Sequence, residues 1–314
     1  MSFWRGKVVL VTGATGFVGS HLVDQLISKG AKVIGFSKKG LASQAKIIEE
    51  YGSVEDFQTI SRVIKKNKTE IIFHLAAQPI VEIGQENPIK TFQVNIQGTW
   101  NILEAARQNN VKRIIIASTV HVYGDNPKLP FKESYFPQPS RPYETSKACA
   151  DLLAQSFADT YDLPVEIPRF VNIYGPGDFN FSRLVPKVIK SILDGCKPEV
   201  WDIGSVRDFL YIDDAINAYL TLAEKPLANG KRLRVFNFGT GKPIKIYDLV
   251  LKIIQLTEKD MKIKTETPPE ERSNEITKQY VSITRAKREL GWRPKIDLNK
   301  GLLNTIRWYK QNLH

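Results

Sequence analysis

A glycine-rich turn between a short apolar strand and a helix is the feature that most constrains how this chain can fold. Residues 7–12 (KVVLVT) are typical of a buried parallel strand, and the turn GATGFVG (13–19) follows at once. Residues 20–27 then place apolar side chains at helical spacing, and residues 31–36 form the next apolar run. Strand, glycine turn, helix and strand in this order predict a dinucleotide-binding βαβ unit.

The glycines of the turn predict where a pyrophosphate would bind. Glycine permits the tight turn and a close approach of the backbone, and the following helix offers N–H groups with a partial positive charge. The alternative, a turn with a purely structural role, is weakened by the strands on both sides. The residues of the turn that we expect to contact a cofactor are Gly13, Thr15, Gly16, Phe17, Val18 and Gly19.

A second motif, later in the chain, suggests acid–base chemistry. Tyr143 and Lys147 are four residues apart in a segment with helical spacing, so both side chains lie on one face, one turn apart. An ammonium group beside a phenol favours the phenolate and lowers the tyrosine pKa from its usual value near 10. Such a phenol can accept the proton of a sugar hydroxyl while a hydride leaves the carbon. The motif alone is weak, because any solvated helix face can carry it.

Further motifs follow in a fixed order along the chain. They are HLAAQ (74–78), NIQGT (95–99), AST (117–119), VYG (122–124), RFVNIYGPG (169–177), RDF (207–209), NFGTG (237–241) and LGWRP (290–294). With the glycine turn, Tyr143 and Lys147, this ordered set resembles the extended short-chain dehydrogenase/reductase superfamily, in its nucleotide-sugar epimerase/dehydratase group. The first residues and the segment 178–184 (DFNFSRL) are most similar to the CDP-glucose 4,6-dehydratase-like subgroup.

The alternation of strand and helix patterns predicts the fold class. Strands are expected at residues 7–12, 31–36, 70–74, 113–117 and 165–169, with helices between them, for example 91–109 and 144–160. This alternation indicates an α/β fold with a doubly wound parallel (Rossmann) sheet. The resemblance adds a smaller C-terminal substrate-binding lobe. We therefore expect a dinucleotide-binding domain at residues 1–172, rejoined by a segment at about 205–240, and mainly the substrate-binding lobe at 173–314.

The resemblance also implies roles for individual residues. Thr119 would hydrogen-bond the reacting oxygen, Tyr143 would act as the base, and Lys147 would lower the Tyr143 pKa and hold the nicotinamide ribose. Guanidinium groups suit phosphate because they bind its oxygens bidentately. The expected substrate contacts are Thr119, Asn172, Arg183, Leu184, Arg207 and Arg272. The expected cofactor contacts beyond the turn are Ser37, Lys38, Lys39, Val54, Leu75, Ala76, Ala77, Gln78, Asn95, Tyr143 and Lys147.

The end of the second strand bears on the choice between NAD and NADP. In NAD-preferring folds an Asp or Glu there usually holds the ribose hydroxyls. In this chain Ser37, Lys38 and Lys39 stand there, and no acid does. A hydroxyl and two ammonium groups would suit the 2′-phosphate of NADP, although a lysine pair can also be an exposed turn. We expect NADP or NAD, with NADP slightly favoured.

The two residues after Thr119 help to distinguish between the possible reactions. Sugar 4,6-dehydratases of this group usually carry an acid and a base at these places. This chain has Val120, which cannot transfer a proton, and His121, whose imidazole can accept and donate one. We therefore expect a nucleotide-sugar epimerase acting through transient oxidation at C4. The alternatives are a 4,6-dehydratase with His121 as the C5 base, a 4-keto-sugar reductase, and a non-catalytic NADP-binding sensor or scaffold.

Composition argues against several other classes. The net charge is +12, but the lysines are scattered and no nucleic-acid-binding module is present, so we expect no nucleic-acid function. Two cysteines are too few for a disulfide framework or a cysteine metal site, and we expect no metal. No signal peptide or long apolar run is evident, which predicts a cytoplasmic protein that does not enter a membrane. From the resemblance, we expect a homodimer that pairs helices 91–109 and 144–160.

Overall fold

The chain folds around a central β-sheet flanked by helices, which confirms the predicted doubly wound α/β fold. The structure is a computed structural model that describes residues 2–38, 40, 46–200, 204–226, 233–265 and 276–313. Every strand predicted from an apolar run forms, with ends that differ by a single residue at most.

The elements are numbered in chain order. The strands are β1 (Val8–Thr12), β2 (Lys32–Ser37), β3 (Ile47–Tyr51), β4 (Ile71–His74), β5 (Arg113–Ile116), β6 (Ser118–Thr119), β7 (Val165–Phe170), β8 (Asn172–Tyr174), β9 (Glu199–Val200), β10 (Val206–Arg207), β11 (Phe209–Tyr211), β12 (Leu233–Phe238), β13 (Ile244–Lys245), β14 (Lys264–Thr265) and β15 (Lys278–Gln279). The helices are α1 (Phe17–Ser28), α2 (Phe57–Asn67), α3 (Val81–Glu86), α4 (Pro88–Phe92), α5 (Gly98–Gln108), α6 (Pro142–Tyr161), α7 (Leu184–Leu193), α8 (Ile212–Glu224), α9 (Ile246–Thr257) and α10 (Leu298–Asn312). Short π-helical turns lie at Gln93–Gln97 and Ala286–Leu290, and a 3₁₀ turn lies at Val120–Tyr123.

The order of strands in the sheet determines where a ligand can bind. The order is β12-β7-β5-β4-β1-β2-β3, and the pairings from β3 through β1 to β7 are parallel. The chain reverses its direction of winding between β1 and β4, and open α/β sheets bind ligands beyond the carboxyl ends of the strands at such a point. Thr12 and His74 are the last residues of these two strands and are register partners. The glycine turn after Thr12 therefore borders this crevice.

The core of the sheet region follows from the apolar runs in the strands. Leu10, Ile72 and Ile114 belong to three neighbouring strands and are fully buried in one cluster. Ile102 and Leu103 of α5 belong to the same cluster, so these two residues face the sheet. Helices α2 and α5 pack against each other over this face of the sheet.

The chain divides into two compact units. The first comprises Met1–Gly124, Glu133–Arg169 and Ile216–Phe236, and the second comprises Asp125–Lys132, Phe170–Ala215 and Asn237–His314. Within the second unit, β8 pairs in parallel with β11, and β10 lies between β13 and β15. Helices α7, α9 and α10 pack together in this unit.

In the part of the chain that the structure describes, no helix is both long and apolar enough to cross a membrane. Over the same ranges, no three or more His, Cys, Asp and Glu side chains converge as metal ligands. Cys149 is half-buried, Cys196 is exposed, and both are free thiols.

Candidate active site

The glycine turn after β1 has the geometry that a bound pyrophosphate needs. Gly13 has a φ of +71°, and a Cβ atom there would come within 2.8 Å of the Ala76 nitrogen. A Cβ atom on Gly19 would overlap the carbonyl oxygen of Gly13. Gly16 is the N-cap of α1 and makes no side-chain cap, so the N–H groups of the first turn remain available to an anion. Thr15 and Gly16 are exposed, Phe17 and Val18 are half-buried, and Gly19 is buried. These features fit a dinucleotide.

A buried histidine joins the two strands that flank the crevice. His74 Nδ1 lies 2.8 Å from Thr12 Oγ1, and His74 Nε2 lies 3.3 Å from Thr99 Oγ1. The Thr99 hydroxyl donates to the Asn95 carbonyl at 2.7 Å, so it must accept from His74 Nε2–H. His74 Nδ1 therefore accepts from Thr12, whose oxygen takes the Ala76 N–H at 3.2 Å. Burial lowers the pKa of His74 to about 3, which keeps this ring neutral.

Asn95 connects this network to the helix that carries the predicted base. Its side chain accepts the Gln78 N–H at 2.7 Å and donates to the Gln78 carbonyl at 3.0 Å. It also donates to Ser146 Oγ at 2.8 Å, and Ser146 donates to the Tyr143 carbonyl at 2.7 Å. Asn95 is 1% exposed, so these bonds form away from solvent. The expected cofactor contacts Leu75, Ala76, Ala77 and Gln78 are all half-buried in the segment that this network holds.

Tyr143 and Lys147 lie in the first two turns of α6, as the sequence predicts. Lys147 is buried and donates to the Ala117 carbonyl at 2.6 Å. Burial lowers the pKa of Lys147 to about 8, and the Asp151 carboxylate acts against that change. Thr119 ends β6, and its hydroxyl accepts the His121 N–H at 3.3 Å. The segment 117–121 therefore lies beside the helix face that carries Tyr143 and Lys147.

His121 has a partner that the sequence did not suggest. Its ring meets the Tyr143 ring edge-on at a centroid distance of 5.9 Å, and its Nδ1 lies 3.7 Å from Glu144 Oε1. That separation is too long for a direct hydrogen bond, and the contact is an ion pair only when the imidazole is protonated. Burial raises the pKa of Glu144, but His121 and the Ser140 N–H outweigh it and hold the pKa below its usual value. Acidic residues are common in the first turn of a helix, where they interact with the helix dipole. The sequence alone therefore did not indicate that Glu144 contacts His121.

The residues at the end of β2 are joined to a carboxylate from the loop after β3. Lys38 Nζ lies 3.0 Å from Glu55 Oε2, and Ser53 donates to the same oxygen at 2.6 Å. Lys90 reaches the other oxygen of Glu55 at 2.5 Å. Burial raises the pKa of Glu55, but these three donors overcome it and lower the pKa to about 2. Ser37, the last residue of β2, is buried.

Val54, Lys39 and Arg272 differ from the other expected contacts. Val54 is 4% exposed and its side chain belongs to the core, where Gly98 approaches it closely. Lys39 and Arg272 lie outside the residues that the structure describes, so no contact is assigned to either.

The polar substrate contacts that the structure describes in the second unit have partners within that unit. Asn172 donates to the Asp208 carbonyl at 3.5 Å. The Arg207 guanidinium donates to the carbonyls of Val206 and Thr277, each at 3.1 Å, and to that of Ile276. These contacts orient the Arg207 guanidinium beside β15.

Arg183 and Leu184 stand at the start of α7. Arg183 is the N-cap, and its Nη1 lies 3.1 Å from Asp178 Oδ2. Leu184 is the first residue of the helix and is half-buried. Over a third of the Arg183 side chain stays exposed, which leaves part of its guanidinium accessible to an anion.

Gln279 is a polar residue of the second unit that sequence reasoning missed. It pairs with Arg207 across β10 and β15, and it is 2% exposed. Among the residues that the structure describes, neither its amide nitrogen nor its amide oxygen has a hydrogen-bond partner. Buried amides are nearly always paired, so this one can donate to and accept from a further polar group.

Comparison with known proteins gives matches over most of the chain. A family model described as NAD dependent epimerase/dehydratase family matches residues 9–239. A dTDP-D-glucose 4,6-dehydratase of Bos taurus is 30% identical over 326 residues, covering 98% of this chain and 90% of the relative. UDP-glucuronate 4-epimerase 4 of Arabidopsis thaliana is 32% identical, covering 97% of this chain and 76% of the relative. The crystal structure of UDP-glucose 4-epimerase with UDP-glucose from Thermotoga maritima has a TM-score of 0.91 and 31% identity, covering 98% of this chain and 100% of that one.

Proposed function

This chain belongs to the NAD-dependent epimerase/dehydratase family, and from that premise we propose that it epimerises a nucleotide-diphosphate hexose at C4. It is an NAD-dependent nucleotide-sugar enzyme of the extended short-chain dehydrogenase/reductase class. The observation that carries the proposal is the grouping of Tyr143, Lys147 and Thr119, with the buried Val120 directly after Thr119. Valine leaves that place without a proton donor, which C4 epimerisation does not need.

The proposed mechanism uses few groups of the chain. Tyr143 takes the proton of the C4 hydroxyl, while Thr119 hydrogen-bonds the same oxygen. Lys147 favours the tyrosinate by its positive charge. The glycine turn would hold NAD, which would supply the acceptor and the donor of the C4 hydride. Tyr143 then gives the proton back to the C4 oxygen.

We assign cofactor binding to the first unit, with the glycine turn holding the pyrophosphate. The preference for NADP over NAD stays a prediction, resting on Ser37, Lys38 and the absence of an acid in β2. We propose that this preference is modest, since Glu55 already holds Lys38 at 3.0 Å. A 2′-phosphate would have to compete with that carboxylate for the ammonium group, and the two anions would repel each other.

We assign the nucleotide sugar to the second unit. Arg207, Asn172 and Arg183 supply donors for the diphosphate, and guanidinium groups suit its oxygens. Arg207 would exchange some of its carbonyl partners for phosphate oxygens. The unpaired Gln279 amide supports the assignment, because a buried group able to donate and accept is satisfied by a polar ligand.

A second candidate reaction is 4,6-dehydration, and the contact between His121 and Glu144 favours it. His121 would take the C5 proton of the 4-keto sugar and pass it to the departing C6 hydroxyl, so that water leaves and a C5–C6 double bond forms. The Glu144 carboxylate, 3.7 Å from Nδ1, would stabilise the imidazolium between those two steps. A single residue would then act as both base and acid.

Incubation with a panel of UDP-, GDP-, CDP- and dTDP-sugars tests the proposal. Product masses and NMR spectra distinguish the reactions. An isomer of unchanged mass supports epimerisation, loss of water identifies a dehydratase, and a gain of two hydrogens identifies a reductase. Cofactor binding without turnover of any sugar would indicate a sensor or scaffold.

We also propose a homodimer in which α5 and α6 of each copy meet. Trp100 on α5 and Leu152 on α6 support this, being 44% and 51% exposed on two helices that pack side by side. Large exposed apolar side chains grouped in this way are typical of an interface. A C2 pair is the commonest closed arrangement. Light scattering at micromolar concentration tests it, and a monomer there contradicts it.

A further inference from the structure

A buried ion pair lies behind the catalytic residues, and the mechanism above does not use it. Asp151 is on α6 and Arg169 is on β7, and they are 0% and 2% exposed. Arg169 Nε lies 2.8 Å from Asp151 Oδ2, and Arg169 Nη2 lies 2.8 Å from Oδ1. The pair is therefore bidentate and out of contact with water, which makes its geometry specific.

The pair contacts the catalytic segment at two places. Ser118, directly before Thr119, donates to Asp151 Oδ2 at 2.8 Å. Arg169 Nη1 donates to the Tyr123 hydroxyl at 2.9 Å, and its guanidinium lies over the Tyr123 ring at 5.0 Å. The segment Ser118–Tyr123 carries Thr119 near one end and His121 in its middle, so the ion pair anchors it on both sides.

The same carboxylate acts on the catalytic lysine. Lys147 precedes Asp151 by one turn of α6, and Asp151 raises the Lys147 pKa against the larger lowering by burial. Other titratable groups that face the lysine do not replace this carboxylate. Tyr143 is its catalytic partner, His74 is neutral, and Arg169 carries a charge of the same sign.

We propose that Asp151, held by Arg169, is a positioning residue for catalysis that fixes Thr119 through Ser118 and keeps Lys147 protonated. A purely structural ion pair would need only its two members. Asp151 instead receives bonds from Arg169, Ser118 and Gln155, and it lies one turn from the lysine. The proposal rests on the assigned roles of Tyr143 and Lys147, and it holds equally for epimerisation, dehydration and reduction.

The first test is Asp151→Asn, which keeps the size of the side chain and removes its charge. A nearby opposite charge typically shifts a pKa by about 1–3 units. We expect the basic limb of the kcat–pH profile to move down by about one unit, with KM changed less than about twofold. Asp159→Asn is the matched control, because it makes the same change at an exposed position of the same helix. Its profile should stay in place.

A second variant keeps the proposal testable if Asp151→Asn does not fold. Asp151→Asn leaves Arg169 buried without a counter-charge, which is strongly destabilising. Asp151→Asn combined with Arg169→Gln removes both charges and should fold, and the basic limb should move down less than in Asp151→Asn alone, because the positive charge of Arg169 is lost as well. Circular dichroism checks the fold of each variant.

Ser118→Ala tests the positioning of Thr119 separately from charge. It breaks the bond to Asp151 and leaves the ion pair intact. We expect kcat to fall about tenfold, the scale of a small misplacement of a catalytic group, with the basic limb unmoved. An unchanged kcat would refute this part of the proposal.

The pH dependence of NADH affinity provides a reading without any sugar substrate. Lys147 is expected to hold the nicotinamide ribose, so the affinity should weaken as this lysine loses its proton. Asp151→Asn should move that transition to lower pH, as it moves the kcat limb. If a folded Asp151→Asn variant moves neither profile, the pair is structural only and the proposal is wrong. Absence of turnover with every sugar would contradict the proposed function. The pH dependence of NADH affinity would then still test whether Asp151 acts on Lys147.

Discussion

The glycine turn and the segment Ser118–Tyr123 both belong to the predicted site, but they are built differently. The turn is shaped by backbone sterics, since Gly13 and Gly19 leave no room for a Cβ atom. The segment depends on side chains brought from elsewhere, such as Asp151 on α6 and Arg169 on β7. A backbone-built site can be identified from its own few residues, whereas the second kind becomes visible only when the fold assembles its partners.

The largest expected effect concerns Tyr143, the proposed base, which lies on α6 beside the segment Ser118–Tyr123. Tyr143→Phe should lower turnover at least about a hundredfold, because the phenol oxygen that takes the C4 proton is lost. Cofactor affinity should change less than about threefold, since the glycine turn is untouched. Tyr161→Phe, the same change at an exposed place on α6, is the control. Near-normal turnover of Tyr143→Phe would remove this tyrosine from the mechanism.

The next effect addresses the turn itself. Gly19→Ala would place a methyl group onto the Gly13 carbonyl, so the turn must shift, and cofactor affinity should fall about tenfold or more. Gly40→Ala is the control, because among the described residues its added methyl would meet no atom nearer than 3.8 Å. Titration of both variants with NAD(H), read by fluorescence, measures the difference. Equal affinities would show that the steric account of the turn is mistaken.

A smaller effect is expected at Lys38, which follows β2 and pairs with Glu55 from the loop after β3. Glu55→Gln should strengthen NADP binding by up to about fivefold, because it frees Lys38 from an exposed ion pair worth at most about 1 kcal/mol. NAD affinity should hardly change, and Glu86→Gln should affect neither cofactor. Calorimetric titration with both cofactors checks this. Replacing Lys38 and Lys39 together by Ala should shrink any preference for NADP, and tighter NAD binding by the unmodified protein would refute that preference.

The smallest expected effect is at His121. C4 epimerisation leaves C5 untouched, so His121→Ala should keep turnover within about threefold, and product formed in D₂O should carry no deuterium at C5. Mass spectrometry and NMR of the product give both answers. Deuterium at C5 with a product lighter by one water would overturn epimerisation. If His121→Ala and Glu144→Gln then both lost that activity, His121 and Glu144 would be assigned the removal of the C5 proton.

Much of the fold was predictable because the first unit repeats a simple pattern. Apolar runs mark the central strands, which are buried on both faces, and Tyr143 and Lys147 share a helix face by spacing alone. β3 was missed because it lies at the edge of the sheet, where IIEEY forms neither an apolar run nor an alternating pattern, with Ile48 exposed and Glu50 buried. The helix predicted at 91–109 is interrupted by a π-helical turn, which helical spacing does not reveal.

The site was less predictable where charges act across the sequence. Glu55, Glu144 and Asp151 are ordinary acidic residues in the sequence. Each acquires its role from a cation, a histidine or an arginine that folding brings to within 4 Å. Ion pairs of this kind follow from tertiary packing, and a single sequence gives no periodicity or turn signal for them.

The buried His74 makes the whole molecule sensitive to acid. Its pKa is about 3 in the folded chain, whereas an unfolded histidine titrates near 6.5, so unfolding takes up a proton between these values. Between about pH 6.5 and pH 3 the native state therefore becomes progressively less stable as the pH falls, through this one ring. Burial holds this imidazole neutral, and the neutral ring takes part in the hydrogen bonds that join the cofactor turn to the catalytic helix. Acid therefore acts on this part of the cofactor site by destabilising the fold, and not by protonating the imidazole in place.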